Sequence, residues 1–360
     1  MPGLYDLTLE ELAARVEAAS APAYRARQVW DWAYRRLVRS WDEMTSLPSA
    51  LRARLAEELP FPVLDEVTEM VSEDGLTRKR LLRLGDGELI ETVLMLYDPR
   101  SDSRGRATVC VSSQAGCAMG CVFCATGQAG FRRNLTAGEI VAQVVGFARE
   151  QAERGGRPLT NVVFMGMGEP MANYAAVMRA VHTLNSPDGL RMGARHITVS
   201  TVGHVPGIRR LADEGIQVGL AVSLHAPDEA LRERLIPTAH RFPLPDILAA
   251  CREYIAKTGR RVTFEYCLME GVNDAPEQAR ALGQALRGML CHVNLIPVNP
   301  TPDRSIRRPS RARTLAFQRE LAAAGIACTV RVEKGVEISA ACGQLRGARA
   351  PLELAEAPSA

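Results

Sequence analysis

Cys117-Ala118-Met119-Gly120-Cys121-Val122-Phe123-Cys124 is the stretch that decides how this 360-residue chain is read. Three thiols fall within eight residues, spaced C-x3-C-x2-C. A structural zinc site takes four ligands, usually as two C-x2-C pairs, and ferredoxin runs likewise supply four cysteines, one per iron. Three cysteines on one tight loop suit a 4Fe–4S cluster whose fourth iron has no protein ligand. A small molecule can chelate that open iron and receive an electron there. Two other readings stay open on the spacing alone: three buried structural thiols, or a zinc loop completed by Cys110.

The spacing resembles the signature of radical S-adenosylmethionine (SAM) enzymes, in which the amino and carboxylate groups of SAM occupy the open iron. The aromatic residue that precedes the last cysteine of that signature is Phe123 here.

Composition narrows the class. A chain of this length suggests about two domains at ~150 residues each and can bury a large core without staples. Hydrophobic content of 47% with 24% charged residues excludes a disordered chain. Nine cysteines, unevenly placed, argue for metal or catalytic chemistry and against a secreted disulfide framework. No apolar run reaches the ~18 residues of a membrane span, and Met1–Asp6 lacks a signal pattern. The expectation is a cytoplasmic protein with no membrane partner. A net charge of +3 does not by itself point to nucleic acid. Arg304, Arg307, Arg308, Arg311 and Arg313, however, crowd one stretch that either contacts phosphates or simply forms a solvated helix start.

Along the chain, residues 1–60 read as a small helical domain, an RNA-docking accessory or a cap on the main domain. Thr8 and Glu11 form a capping box. Val29, Trp30, Ala33 and Leu37 share one helical face, and Leu51, Leu55 and Leu59 another. Residues 61–106 read as a β-meander turned at Asp74-Gly75 and Gly85-Asp86-Gly87. Within it Glu91 alternates onto the face of Leu89, Val93 and Met95, which is either a solvent-facing edge or a carboxylate buried for a reason. From 107 to 347, strand, loop and helix repeat. Seven candidate strands begin near Ala107, Val162, His196, Gln217, Val262, His292 and Ile326. About six β/α units, without the length for eight, predict an α/β fold: a partial (β/α)6 TIM-like barrel with a parallel sheet. Its chemistry belongs at the C-terminal strand ends, where the cysteine loop falls. Residues 348–360 are expected to be a disordered tail.

The other strand ends are polar. Met165-Gly166-Met167-Gly168-Glu169-Pro170 follows the second core strand. Met171 stands where a dinucleotide fingerprint needs glycine, so a Rossmann cofactor is disfavoured. Bare glycines let the backbone approach a ligand, and Glu169 could accept a hydrogen bond from an ammonium group. Ser200 and Ser223-Leu224-His225 end the next two strands, and Ile296-Pro297-Val298-Asn299-Pro300 the sixth. Cys342 stands alone beside glycine on a loop. Cys251, Cys267, Cys291 and Cys328 fall inside predicted elements and read as small hydrophobes.

Together these motifs resemble the RlmN family of dual-specificity RNA methyltransferases over nearly the whole chain. The match rests on Glu91-Thr92-Val93, Cys110–Cys117, the cluster loop, Gly166–Pro170, Ser223-Leu224-His225 and Ala341–Leu345. The resemblance implies methylation of C2 of adenosine 2503 in 23S rRNA, at the peptidyl transferase centre, and of adenosine 37 in tRNAs. It implies one 4Fe–4S cluster on Cys117, Cys121 and Cys124, two SAM molecules per turnover, and an external flavodoxin-like or ferredoxin-like electron donor. By the same resemblance Cys342 carries the methyl group and Cys110 resolves the protein–RNA adduct through a transient disulfide with Cys342. Glu91 is then the proton acceptor, and Gly168, Glu169, Ser200, Ser223, Leu224, His225 and Asn299 contact SAM. Arg132, Arg133 and Arg304–Arg313 are candidates for RNA contact. The sister enzymes that methylate C8 of the same adenosine share most of these motifs. A non-enzymatic iron–sulfur or zinc RNA-binding redox sensor is the other alternative.

Overall fold

The computed structural model describes residues 2–62, 64–97, 105–301 and 305–347, so Arg304 and the 348–360 tail lie outside the described residues. The first unit holds helices α1 (Leu9–Ala18), α2 (Tyr24–Tyr34) and α3 (Ser49–Glu58). The capping box forms: Glu11 N–H donates to Thr8 Oγ1 at 3.1 Å, and Thr8 N–H to the Glu11 carboxylate at 2.8 Å. Leu37 departs from expectation. The helix stops at Tyr34, and Leu37 lies beyond it with φ +58°, so the apolar face ends at Ala33. Val29, Trp30, Ala33, Leu51 and Leu55 are buried in a core continuous with that of the barrel.

The meander is β1 (Leu64–Val71), β2 (Thr77–Leu84) and β3 (Leu89–Tyr97), which pairs antiparallel with β4 (Arg106–Cys110). Next come β5 (Gln114–Gly116), α4 (Ala125–Ala129), β6 (Phe131–Asn134), α5 (Ala137–Glu153), β7 (Asn161–Phe164), α6 (Tyr174–Asn185), β8 (Ile197–Thr201) and α7 (Val205–Asp213). The chain continues through β9 (Gly219–Ser223), α8 (Glu229–Leu235), α9 (Leu244–Thr258), β10 (Val262–Leu268), α10 (Pro276–Ala285), β11 (Cys291–Pro297), α11 (Arg311–Ala323) and β12 (Cys328–Val330).

Ten strands make one sheet, ordered β1-β2-β3-β4-β7-β8-β9-β10-β11-β12. From β4 onward every pairing is parallel. All seven predicted core strands are present, six β/α units followed by the short β12, in a mixed α/β partial barrel. Burial explains the sequence pattern of these strands: Val162, Phe164, Val199, Val222, Phe264 and Leu295 are almost wholly covered, as a sheet clad by helices requires.

Sequence reading missed β5 and β6. They pair antiparallel, Gln114 opposite Asn134 and Gly116 opposite Phe131, and so clamp both ends of the cysteine loop. Cys117 N–H donates to Gly130 O at 2.9 Å and closes the clamp. Among the described residues no helix is long and apolar enough to cross a membrane.

Candidate active site

The C-terminal ends of the parallel strands surround a cavity open to solvent, the place where α/β barrels carry their chemistry. Cys117, Cys121 and Cys124 line it, and so do Gly168, Glu169, Ser200, Ser223, His225 and Cys342. The fold thus gathers residues as far apart in sequence as Cys117 and Cys342 around one cavity. Burial pushes the Cys117 thiol up to about 12 and Cys121 well above its ordinary value. Binding iron at these cysteines therefore means expelling protons. Among the described residues, no three His, Cys, Asp or Glu side chains converge on a single metal ion.

The glycine loop after β7 shows why glycine is needed. Gly168 has φ +106°, and a Cβ there would lie 2.6 Å from Gln114 Cβ. Gln114 in turn accepts Glu169 N–H through Oε1 at 2.8 Å. Glu169 is buried, and its two oxygens accept the N–H groups of Met171 (3.0 Å) and Val202 (2.8 Å). Burial outweighs these bonds and raises its carboxyl to about 7. Ser200 Oγ donates to Phe164 O at 2.5 Å.

His225 has φ +61°, and its Nδ1 accepts Cys267 N–H at 2.9 Å. That bond fixes the tautomer, leaving Nε2–H as the donor. Burial, then the nearby Arg232, lowers His225 to about 3, so the ring is neutral. Its edge packs on Phe123 with centroids 4.7 Å apart. Leu224 is buried beside it with its N–H bonded to Glu265 O, and it is not among the residues lining the cavity.

A second cavity adjoins the first. Cys110, Met95, Tyr97, Asn299, Arg331 and Cys342 are on its wall. Cys342 therefore faces both cavities. Cys342 is exposed as a residue, yet burial of its thiol group raises the pKa, opposed by Arg331. Burial, then Cys342, pushes Cys110 up to about 12. Asn299 Nδ2 donates to Cys342 O at 3.1 Å, while its buried Oδ1 has no partner. It lies on the Cys110 side and not among the residues around the cysteine loop.

Glu91 is buried but lines neither cavity. Its Oε1 pairs with Lys79 Nζ at 2.8 Å, and its Oε2 accepts Arg346 N–H (2.6 Å) and Gly347 N–H (3.1 Å).

Glu265 and Arg331 escaped the sequence reading, and Cys267, read as a small hydrophobe, also lines the first cavity. Glu265 lines the first cavity, held by Asn294 at 2.9 Å and pairing with Arg331 at 3.6 Å. Arg331 borders both cavities, and Cys342, ahead of Glu265, holds its guanidinium firmly protonated. A glutamate inside the apolar central strand Val262–Leu268 was the available signal for Glu265. Of the arginines proposed for RNA, Arg133 is engaged by Asp86 and Glu139, Arg308 by Glu333 and Arg313 by Asp274. Arg132, Arg307 and Arg311 are exposed.

Comparison with known proteins places this geometry. Residues 111–282 match the radical SAM superfamily, and residues 3–60 match the N-terminal domain of ribosomal RNA large subunit methyltransferases. A probable dual-specificity RNA methyltransferase RlmN from Chloroflexus aurantiacus is 53% identical over 96% of this chain and 92% of its own length. The chain belongs to the RlmN family. The ribosomal RNA large subunit methyltransferase N of Nitrosopumilus maritimus is 51% identical over 96% of this chain and 99% of its own. A radical SAM methyltransferase from Sphaerobacter thermophilus, solved by crystallography, superposes with a TM-score of 0.92 at 56% identity, covering 97% of this chain and all of that one. Like other members of the RlmN family, the protein is a SAM-dependent RNA methyltransferase that uses a 4Fe–4S cluster. The donor set fits both groups: three thiols line the cavity together with a buried carboxylate, Glu169, and a neutral imidazole, His225.

Proposed function

We propose that this protein methylates C2 of adenosine, at adenosine 2503 of 23S rRNA and adenosine 37 of tRNAs, by way of a methyl group carried on Cys342. The observation that carries the reading is the position of Cys342 on the wall shared by the cluster-side cavity and the Cys110 cavity. The bound cluster and SAM supply the methyl group and a carbon radical strong enough to remove hydrogen from it. The chain does the rest. Cys117, Cys121 and Cys124 hold the cluster. Gly168, Glu169, Ser200, Ser223 and His225, which line the cluster-side cavity, are assigned to SAM, with Leu224 buried beside them and Asn299 reaching from the Cys110 side; Glu169 and the Nε2–H of His225 offer an acceptor and a donor in that cavity.

Cys342 loses its proton to become the methyl acceptor, and Arg331 favours the thiolate. The sulfur-borne carbon radical then bonds to C2 of the adenine, with Glu91 as acceptor of the C2 proton and the cluster, which spends one electron on cleaving SAM, as acceptor of the one surplus electron. Cys110 attacks the Cys342 sulfur, the carbon–sulfur bond breaks toward the base, and that carbon takes a proton to become methyl. A Cys110–Cys342 disulfide remains, to be reduced by a cellular dithiol before the next turnover. The adenosine must be unstacked to enter, at a cost of a few kcal/mol that RNA contacts offset; exposed Arg132, Arg307 and Arg311 are the candidates.

The test is anaerobic reconstitution followed by nucleoside mass spectrometry of ribosomal and transfer RNA. 2-Methyladenosine supports the reading, whereas 8-methyladenosine assigns the protein to the C8 chemistry. Cys342→Ala is expected to abolish product, and Cys110→Ala to trap a covalent protein–RNA adduct.

A further inference from the structure

Lys79 is a buried lysine with no part in the proposed reaction. Lysines are rarely buried without a specific partner, and this one is only 6% exposed. It stands on β2 opposite Val93, and Glu91 sits two residues away on β3, so the two side chains are diagonal neighbours on one face of the sheet. Lys79 Nζ pairs with Glu91 Oε1 at 2.8 Å and donates to Ser339 O at 3.2 Å. The other carboxylate oxygen, Oε2, accepts the N–H groups of Arg346 and Gly347. One buried ion pair thus grips the chain three residues before Cys342 and again four and five residues after it.

The inner side of the same segment is fastened to the cluster loop. Ala125 N–H donates to Gly343 O at 2.7 Å, and Thr126 Oγ1 donates to Leu345 O. Both donors belong to α4, the turn that directly follows Cys124. The backbone is constrained at two of the gripped positions. Ser339, whose carbonyl Lys79 holds, has φ +53°, a conformation a serine adopts only when its surroundings impose it. Gly347 has φ +64°, and a Cβ there would lie 2.6 Å from Leu89 O.

We propose that Lys79 is a positioning residue, and that the Lys79–Glu91 pair is the latch that seats the Cys342 segment between the meander and the cluster loop. The inference rests on the reading of Cys342 as methyl carrier. It adds that Glu91 holds this segment whenever it is not taking a proton. Reach sets the need for such a latch. The sulfur must serve two cavities in one turnover, and a displacement of about 1 Å can cost 100-fold in rate.

Three variants test it. Lys79→Met removes the charge. Lys79→Met with Glu91→Leu removes both charges and replaces the pair with apolar bulk, which preserves folding when a buried ion pair is lost. Gly347→Ala leaves the pair intact and pushes the segment off β3. Two quantities are measured in protein that retains native near-ultraviolet dichroism. The first is the rate of Cys342 alkylation in metal-free protein, mapped by peptide mass spectrometry. The second is the ratio of 5′-deoxyadenosine to methylated nucleoside in reconstituted enzyme. In Lys79→Met and Gly347→Ala, Cys342 alkylation is expected to rise about tenfold and the ratio about 100-fold, as a misplaced sulfur uncouples SAM cleavage from methyl delivery; the double variant is read by alkylation alone, because Glu91→Leu also removes the proton acceptor. The proposal is overturned if the folded variants keep both quantities within about twofold of the parent, since a misplaced sulfur would shift them far more. If Lys79→Met alone fails to fold, Gly347→Ala decides on both readouts and the double variant on Cys342 alkylation. Failure of the underlying reading looks different: Cys342→Ala would still yield methylated nucleoside, while the alkylation change in Lys79→Met would stand.

Discussion

Both oxygens of Glu169 accept backbone N–H groups, and still burial raises its carboxyl to about 7 from an ordinary 4.5. The folded protein without ligand therefore keeps a proton between pH 4.5 and 7 that the unfolded chain releases. Its contribution is full below pH 4.5 and is lost as pH rises through 7, about 3 kcal/mol in all. A bound ammonium group reverses the preference by favouring the carboxylate. Binding of S-adenosylhomocysteine at pH 6 is thus expected to release nearly one proton, measured by calorimetry in buffers of different ionisation enthalpy. Glu169→Gln should bind with no such release, and proton uptake by the parent would contradict the assignment. His225 behaves oppositely. With its value lowered to about 3, its ring resonances should show no titration between pH 5 and 8. A midpoint near 6.5 in the nitrogen spectrum would mean that the Cys267 N–H bond to Nδ1 is absent.

At the scale of elements, the β5–β6 clamp decides whether the cysteine loop keeps its shape. A Cβ on Gly116 would lie 1.9 Å from Gly130 O, on backbone that cannot give way without unzipping the pair. Gly116→Ala is therefore expected to fold but to reconstitute with well under half the parent's iron and sulfide, read by colorimetric analysis and the cluster's visible absorbance. Full loading would show that the loop holds its cysteines without the clamp. This clamp also shows where sequence reading stops. The seven core strands were legible because apolar runs bounded by turn residues alternate with helical periodicity, a signal that local burial imposes. Gln114–Gly116 is too short to alternate, and Phe131–Asn134 is largely exposed, so neither carries that signature. Cys110, Glu169 and Cys342 could be picked out by residue type and neighbours. Their division between two cavities could not, because it depends on how the 339–347 segment lies across the barrel mouth. The commitments of Arg133, Arg308 and Arg313 to nearby carboxylates are likewise tertiary facts.

At the scale of the whole molecule, the N-terminal helices and the barrel are fastened by more than surface contact. Their buried side chains form one continuous core. Asp6 ties the two directly: its Oδ1 accepts Gly138 N–H at 2.6 Å in the first turn of α5, and its Oδ2 accepts Gly3 N–H at 2.9 Å. It therefore caps a barrel helix from outside that helix's own sequence. Arg149, farther along α5, donates back to Leu37 O and Val38 O, and Arg179 of α6 pairs with Glu11. Units that share a core and exchange caps should unfold together even in a chain of this length. A single calorimetric transition is expected for the parent. Asp6→Ala, losing about 1–2 kcal/mol of capping, should lower that one transition by about 1–3 °C without splitting it, whereas Asp6→Asn should recover most of the loss through its remaining acceptor oxygen. Two resolved transitions in the parent would mean that the helical unit is an independent body. RNA docked on it would then be placed relative to Cys342 by a hinge, with no rigid frame between them.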